Sequence, residues 1–301
     1  MPSWSTSDIP PLAGKTALVT GANRGLGRVI TGALAAAGAT VIAGCRDTAR
    51  MEATIAELRR QTPRADIVAM SVDLAELASV RKFAGQVQAK YERLDLLIHN
   101  AAAIMVPPGR TRDGYETHIG TNHLAPFALT GLLLETLQRA SAARLVNSGS
   151  LAHRLTPGLD LNDPNFERRP YKEMDGYGAS KLAALAFTFE LDRRLRRAGS
   201  PVAAVAAHPG YTATNDDLGG FFMRLSTRLF AQKPAIGALP ALYAATAAEV
   251  KSGDYIGPAG FKELGGPPRK VDTRPEARDA TLGAQLWAWS EQATGVRYLD
   301  T

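Results

Sequence analysis

The stretch Thr16-Ala17-Leu18-Val19-Thr20-Gly21-Ala22-Asn23-Arg24-Gly25-Leu26-Gly27 decides the fold. Its first five residues form a short apolar, β-prone run, and a glycine-rich turn follows. From residue 26 to about 37 the pattern is helical. A strand that passes through a glycine turn into a helix brings backbone N–H groups and a helix N-terminus to a pyrophosphate. The glycines, spaced G-x-x-x-G-x-G, permit a tight turn and close approach of the backbone to an anion. A glycine turn alone is often only structural. Its place between strand and helix is what points to a dinucleotide.

Working outward, short apolar runs alternate with helical patterns. Strands are expected at 16–20, 40–44, 66–72, 94–99, 144–147 and 202–207. Helices are expected at 26–37, 48–60, 77–91, 122–139, 177–197 and 280–294. Strands that are apolar throughout and separated by helices predict a parallel sheet covered on both faces. With right-handed crossovers this becomes a single-domain Rossmann-type doubly wound α/β fold spanning 1–301. Three segments interrupt the alternation. Residues 151–176, rich in Pro, Asp and Asn, read as a loop insertion; 211–233 hold a cluster of large apolar residues. Residues 257–301 read as a C-terminal extension, loop-like as far as 274.

Of the 301 residues 45% are hydrophobic and 21% charged, a balance that buries a sizeable core and excludes disorder. No apolar run is long enough for a membrane span. Residues 1–11 carry Asp8 and prolines and do not read as a secretory signal. A single cysteine, Cys45, makes no internal disulfide, which fits the cytoplasm. The net charge of +6 raises nucleic acid as a partner, but the basic residues are dispersed. The densest group, Arg193, Arg194, Arg196 and Arg197, ends a helix, where positive charge complements the dipole. Nucleic acid is therefore not expected. The histidines show no metal-ligand spacing, and His153 and His208 read as structural.

Several further motifs stand in a fixed order. They are Asp73 after the third strand, His99-Asn100-Ala101-Ala102 after the fourth, Asn122 in the next helix, Ser150, Tyr177-Gly178-Ala179-Ser180-Lys181 and Pro209-Gly210. With the glycine turn they resemble the short-chain dehydrogenase/reductase family, in its single-domain NAD(P)-dependent branch, from about residue 13 to 258. There are two departures. The family commonly has N-N-A-G where this chain has His99-Asn100-Ala101-Ala102. The interval from Ser150 to Tyr177 is longer than usual, as in the retinol-dehydrogenase-like and protochlorophyllide-reductase-like members.

Tyr177 and Lys181 stand one helical turn apart, on one face. Such a pair is usually mere surface, but an ammonium near a phenol stabilises the phenolate that proton transfer requires. The resemblance implies Tyr177 as acid–base, Ser150 as the group that polarises a carbonyl, and Lys181 as phenolate stabiliser. Asn122 then holds a water linked to the lysine. Ser148 is the rival serine, and Gly-x-Ser-x-Gly is absent, which excludes a serine-hydrolase elbow. The implied cofactor contacts are Gly21, Asn23, Arg24, Gly25, Leu26 and Gly27 in the turn, then Arg46, Asp73 and Leu74. Asn100, Ala101 and Ala102 follow, then Tyr177, Lys181, Pro209, Gly210 and Thr212.

Cofactor choice sets spacing against register. Asp47 lies where a ribose-binding acid often falls relative to the glycine turn. By register the acid's place is Cys45, just past the second strand, and Arg46 follows where NADP(H)-using relatives carry arginine. Arg24 matches a second basic position, and a guanidinium pairs strongly with a 2′-phosphate. NADP(H) is thus expected over NAD(H), with Asp47 as a helix cap. Phe222, Leu225 and Leu229 at i, i+3 and i+7, with Phe221 and Phe230 beside them, suggest an amphipathic helix opposite Arg224 and Arg228. It reads as a lid over a lipophilic or aromatic carbonyl compound or secondary alcohol. Packing onto the body and weak membrane-surface contact are the alternatives. A non-catalytic NADP(H)-binding sensor and an epimerase or dehydratase remain as other functions. The chain is expected as a homo-oligomer or monomer: relatives often pair through their two central helices, a surface the long loop before Tyr177 would cover.

Overall fold

The computed structural model describes residues 3–212 and 232–300. Strand β1 (Thr16–Thr20) is buried from Ala17 onward, because both faces of the sheet are covered. Ala17 and Val19 enter the core beneath helices α1 (Gly25–Ala36) and α2 (Thr48–Gln61). Leu18 faces the opposite core, formed with α3 (Leu77–Lys90), α5 (Ala125–Gln138) and α6 (Glu173–Arg197). The pleat of one strand thus feeds both layers.

The other strands are β2 (Thr40–Cys45), β3 (Ile67–Ser71), β4 (Leu96–His99), β5 (Arg144–Ser148), β6 (Ala203–Ala207), β7 (Tyr255–Pro258) and β8 (Pro268–Lys270). They form one eight-stranded sheet in the order β3-β2-β1-β4-β5-β6-β7-β8. All neighbours are parallel except β7 and β8, an antiparallel edge pair. The single-domain doubly wound fold is as expected; the antiparallel edge is not. The stretch 257–274 looked loop-like because its strands are short and rich in Pro and Gly, which hides any alternation.

Two helix boundaries also differ from the pattern. Helix α6 starts at Glu173, its first turn carrying Glu173 and Asp175 at the positive end of the dipole. The helix expected from 122 begins earlier, with the single turn α4 (Thr117–Ile119). A π-helical turn, Gly120–Leu124, joins it to α5. Asn122 lies in that turn, an irregularity common at functional sites. Asp47 does cap α2, accepting from the Arg50 N–H at 2.9 Å.

Beyond β6 come α7 (Pro234–Gly237), α8 (Leu239–Thr246) and α9 (Ala280–Thr294). Helix α9 covers part of α5 and α6, and Leu159 and Leu161 of the 151–176 loop pack against the same core. Trp287 packs on Phe127 at 5.1 Å and on Phe187 at 6.0 Å. The Tyr298 hydroxyl donates to the Phe127 carbonyl at 3.1 Å, and its ring fills a notch at Gly131, where a Cβ would lie 2.3 Å from it. Among the described residues no helix is long and apolar enough to cross a membrane.

Candidate active site

Strand order reverses between β1 and β4, and the crevice at their carboxyl ends is where open α/β sheets take ligands. The glycine turn forms one wall. Gly21 and Gly25 have φ of 68° and 53°, which glycine adopts without strain. A Cβ on Gly27 would lie 2.1 Å from the Gly21 carbonyl oxygen. One on Gly21 would lie 2.9 Å from Ala101 Cα and 3.0 Å from its methyl. Bare glycine at 21 is therefore what admits an alanine at 101. Asn100 ties the two segments together: its Nδ2 donates to the Thr20 carbonyl at 2.9 Å. The backbone N–H groups of Asn100 and Ala101 each donate to Thr20 Oγ1 at 3.1 Å.

Arg24 stands at the N-cap of α1 and Arg46 directly follows β2; both are exposed. Neither forms an ion pair with a carboxylate among the described residues. Asn23 is anchored through its carbonyl by Thr54 Oγ1 at 3.1 Å. After β3, Asp73 accepts from the Ala75 N–H at 2.9 Å, which fixes the turn bearing the buried Leu74. Across the crevice the Gly210 N–H donates to His208 Nδ1 at 3.2 Å, and Thr212 Oγ1 donates to the Pro209 carbonyl at 2.9 Å. Residues 213–231, with Phe222, Leu225 and Leu229, lie outside the described residues.

The reactive side chains meet past the end of β5. The Ser150 hydroxyl accepts from the Ala152 N–H at 3.2 Å, and its presence by the Tyr177 hydroxyl favours the phenolate. Burial raises the Tyr177 hydroxyl above the usual tyrosine range, and Ser150 pulls the other way. Lys181 is buried, and burial pushes its ammonium down to about 8. Its Nζ donates to the Ser148 carbonyl at 2.8 Å and lies 5.9 Å from the centre of the Tyr177 ring. Asn122 does not hydrogen-bond to Lys181. Its Nδ2 donates to Ser180 Oγ and to the Ala103 carbonyl, both at 2.9 Å, and its Oδ1 accepts from the Ala103 N–H at 2.7 Å. Ser180 Oγ donates in turn to the Tyr177 carbonyl at 2.7 Å, so Asn122 joins the segment after β4 to the tyrosine's own helix.

Two neighbouring groups were not legible in the sequence. Glu116, His118 and Tyr171 pack beside Tyr177, and only the acid two residues before His118 hints at a local cap. Glu263 reaches His208 and Arg154, each at 3.0 Å, from a distant loop that leaves no sequence signal. His153 is structural as expected, its Nδ1 at 2.5 Å from the Ser150 carbonyl, and burial pushes it down to about 4.

The family profile described as short chain dehydrogenase matches residues 15–160. Human retinol dehydrogenase 13 is 36% identical, over 95% of this chain and 86% of its own. The chain belongs to the short-chain dehydrogenase family. Within it, this short-chain dehydrogenase is of the retinol-dehydrogenase-like type, an oxidoreductase that acts on CH–OH or C=O groups with NAD(P). A crystal structure of a Mycobacterium paratuberculosis protein is 40% identical and covers 98% of both chains with a TM-score of 0.82. The complex of Pseudomonas aeruginosa RhlG with NADP, 25% identical, covers 81% of this chain and 94% of that one at 0.63. The residues present fit a dinucleotide: a glycine turn with positive φ at Gly21 and Gly25 leads directly into the N-terminus of a twelve-residue helix.

Proposed function

We propose that this short-chain dehydrogenase interconverts a lipophilic or aromatic carbonyl compound and its alcohol, prefers NADP(H), and uses Tyr177 as acid–base. The observation that carries the reading is the buried Lys181 ammonium 5.9 Å from the centre of the Tyr177 ring, in a group where the Ser150 hydroxyl also favours the phenolate. When bound, the nicotinamide supplies or takes up the hydride. In reduction Tyr177 donates its proton to the forming alkoxide, and burial favours keeping that proton until then. Ser150 directs its O–H at the same oxygen, where negative charge develops. Lys181 stabilises the phenolate left behind, and Asn122 keeps the tyrosine's helix in place through Ser180.

Gly21, Asn23, Gly25, Leu26 and Gly27 would hold the pyrophosphate, and Asp73 and Leu74 would flank the adenine. Asn100, Ala101, Ala102, Lys181, Pro209, Gly210 and Thr212 would hold the nicotinamide half. For NADP(H) the support is two exposed guanidinium groups, Arg24 and Arg46, and an uncharged Cys45 that does not repel a phosphate. Asp47, the rival ribose acid, is engaged as a cap. The named substrate of human retinol dehydrogenase 13, a lipophilic alcohol, supports the substrate class. For a cytoplasmic location the support is that Cys45, the chain's single cysteine, has no partner for an internal disulfide. Because α9 covers part of α5 and α6, we place any subunit contact elsewhere, or the protein acts as a monomer.

The test is a screen of NADPH and NADH oxidation over ketones, aldehydes and quinones, with alcohols for the reverse direction. Net NADPH oxidation by bulky apolar carbonyls, faster than with NADH, is expected. Binding without any turnover indicates a sensor; product without net cofactor change indicates an epimerase or dehydratase.

A further inference from the structure

We propose that Glu116, His118 and Tyr171 form a positioning cluster that fixes the ring of Tyr177, an inference that rests on Tyr177 being the acid–base residue. Glu116 is the N-cap of α4: Oε1 accepts from the His118 N–H and Oε2 from the Ile119 N–H, both at 2.9 Å. The same Oε1 lies 2.8 Å from His118 Nδ1, and both side chains are buried. On the far side of the imidazole, the Val106 N–H donates to Nε2 at 3.2 Å. A backbone N–H only donates, so Nε2 is the acceptor and the ring proton sits on Nδ1, facing Glu116. Burial pushes the Glu116 carboxyl up, but the hydrogen bonds from His118 and Ile119 outweigh it and hold it below the usual range. The carboxylate is charged, and the tautomer follows.

Tyr171 closes the cluster from the 151–176 insertion. Its hydroxyl lies 3.1 Å from the Val106 carbonyl, 3.2 Å from Glu116 Oε1 and 3.0 Å from His118 Nδ1. Its ring stacks on the imidazole at 6.4 Å and 17°. The same imidazole also meets Tyr177, with ring centres 5.9 Å apart and planes tilted by 55°. Gly176, directly before Tyr177, is packed so tightly that a Cβ would lie 3.1 Å from His118 Nδ1 and 3.2 Å from the Tyr171 ring. Three separate stretches of chain thus close on the imidazole that meets Tyr177. The insertion gains a purpose: it carries the hydroxyl that completes the cluster. A proton donor must be aligned with its acceptor, and small misplacements of such groups reduce rates steeply.

The experiment compares wild type, Tyr177→Phe, Tyr171→Phe, His118→Leu and His118→Gln for kcat, KM, dinucleotide Kd by fluorescence quenching, and melting temperature. Tyr171→Phe keeps the stacked ring and removes only the hydroxyl. It is expected to lower kcat by about 10-fold, with Kd unchanged, as misalignment rather than lost binding predicts. His118→Leu is expected to lower kcat by about 10²-fold. His118→Gln, which keeps an acceptor for the Val106 N–H, should recover part of that at an equal melting temperature. Wild-type kcat in Tyr171→Phe and in folded His118→Leu would overturn the cluster; if the leucine variant does not fold, Tyr171→Phe decides. Wild-type activity in Tyr177→Phe, or none in wild type, defeats the acid–base reading and the cluster with it. An inactive Tyr177→Phe beside that same pattern of unaffected cluster variants defeats the cluster alone.

Discussion

Ser148 and Ser150 differ in what their atoms meet: the Ser148 carbonyl accepts from Lys181, and the Ser150 hydroxyl accepts from the Ala152 N–H and favours the Tyr177 phenolate. Sequence left them as rivals, because either hydroxyl ends the same strand. Ser150→Ala is expected to lower kcat by about 10²- to 10³-fold, the range for one lost oxyanion donor. Ser148→Ala keeps the main-chain acceptor and should cost only a few-fold; steady-state rates of the two variants would show the reverse order if the serines are misassigned. Arg46 follows the same logic on the cofactor side. Its removal is expected to weaken NADPH by roughly 10- to 150-fold, one charge-assisted hydrogen bond, and to leave NADH unaffected. Parallel titrations of both dinucleotides check this, with Asp47→Ala as the contrasting variant. Tyr177, Lys181 and Arg46 were legible because spacing along one helix or one strand end places them. His118 and Tyr171 were not, because only the tertiary fold brings 118 to 171.

At the scale of elements, the glycine turn is where sequence and packing agree. Gly27→Ala would set a methyl 2.1 Å from the Gly21 carbonyl oxygen, forcing the turn open. Overpacking of this kind typically costs about 1–3 kcal/mol. Dinucleotide affinity should fall together with the melting temperature. Gly85→Ala, on the exposed face of α3 where a Cβ meets nothing within 4 Å, is the control. It should stabilise by about 0.5–1 kcal/mol, read as a raised melting temperature with cofactor binding intact. The inner strands β1, β2, β4 and β5 were readable as apolar runs because they are covered on both faces. The edge strand β8 is mostly exposed and three residues long, so no periodicity marks it. The arginine group ending α6 is only in part a solvated face: Arg193 and Arg194 each pair with Glu190 at 2.8 Å and Arg196 pairs with Asp192 at 2.8 Å, but Arg194 is largely buried, its guanidinium 4.3 Å from the centre of the Trp287 ring. The π turn at Asn122 has no pattern signature, since its side chains follow the helix on either side of it.

Over the whole molecule, strand order creates the crevice, and the C-terminal helix completes the body by covering part of the α5 and α6 faces. Trp287 is 1% exposed and sits between Phe127, Phe187 and Tyr298. Trp287→Ala is expected to cost about 3–5 kcal/mol, as for large aromatic truncations in cores. The kcat of the remaining folded protein should be little changed, since the rings Trp287 packs on, Phe127, Phe187 and Tyr298, belong to the core and not to the group of Ser150, Tyr177 and Lys181; chemical denaturation with parallel rates would show otherwise. The central claim, that one tyrosine moves the proton, is tested most directly by NADPH oxidation with a lipophilic ketone in Tyr177→Phe, measured beside equilibrium NADPH binding. The account predicts a kcat at least about 10²-fold below wild type, the scale of general acid–base catalysis, with NADPH affinity nearly unchanged. Near-wild-type kcat in the folded phenylalanine variant would contradict it.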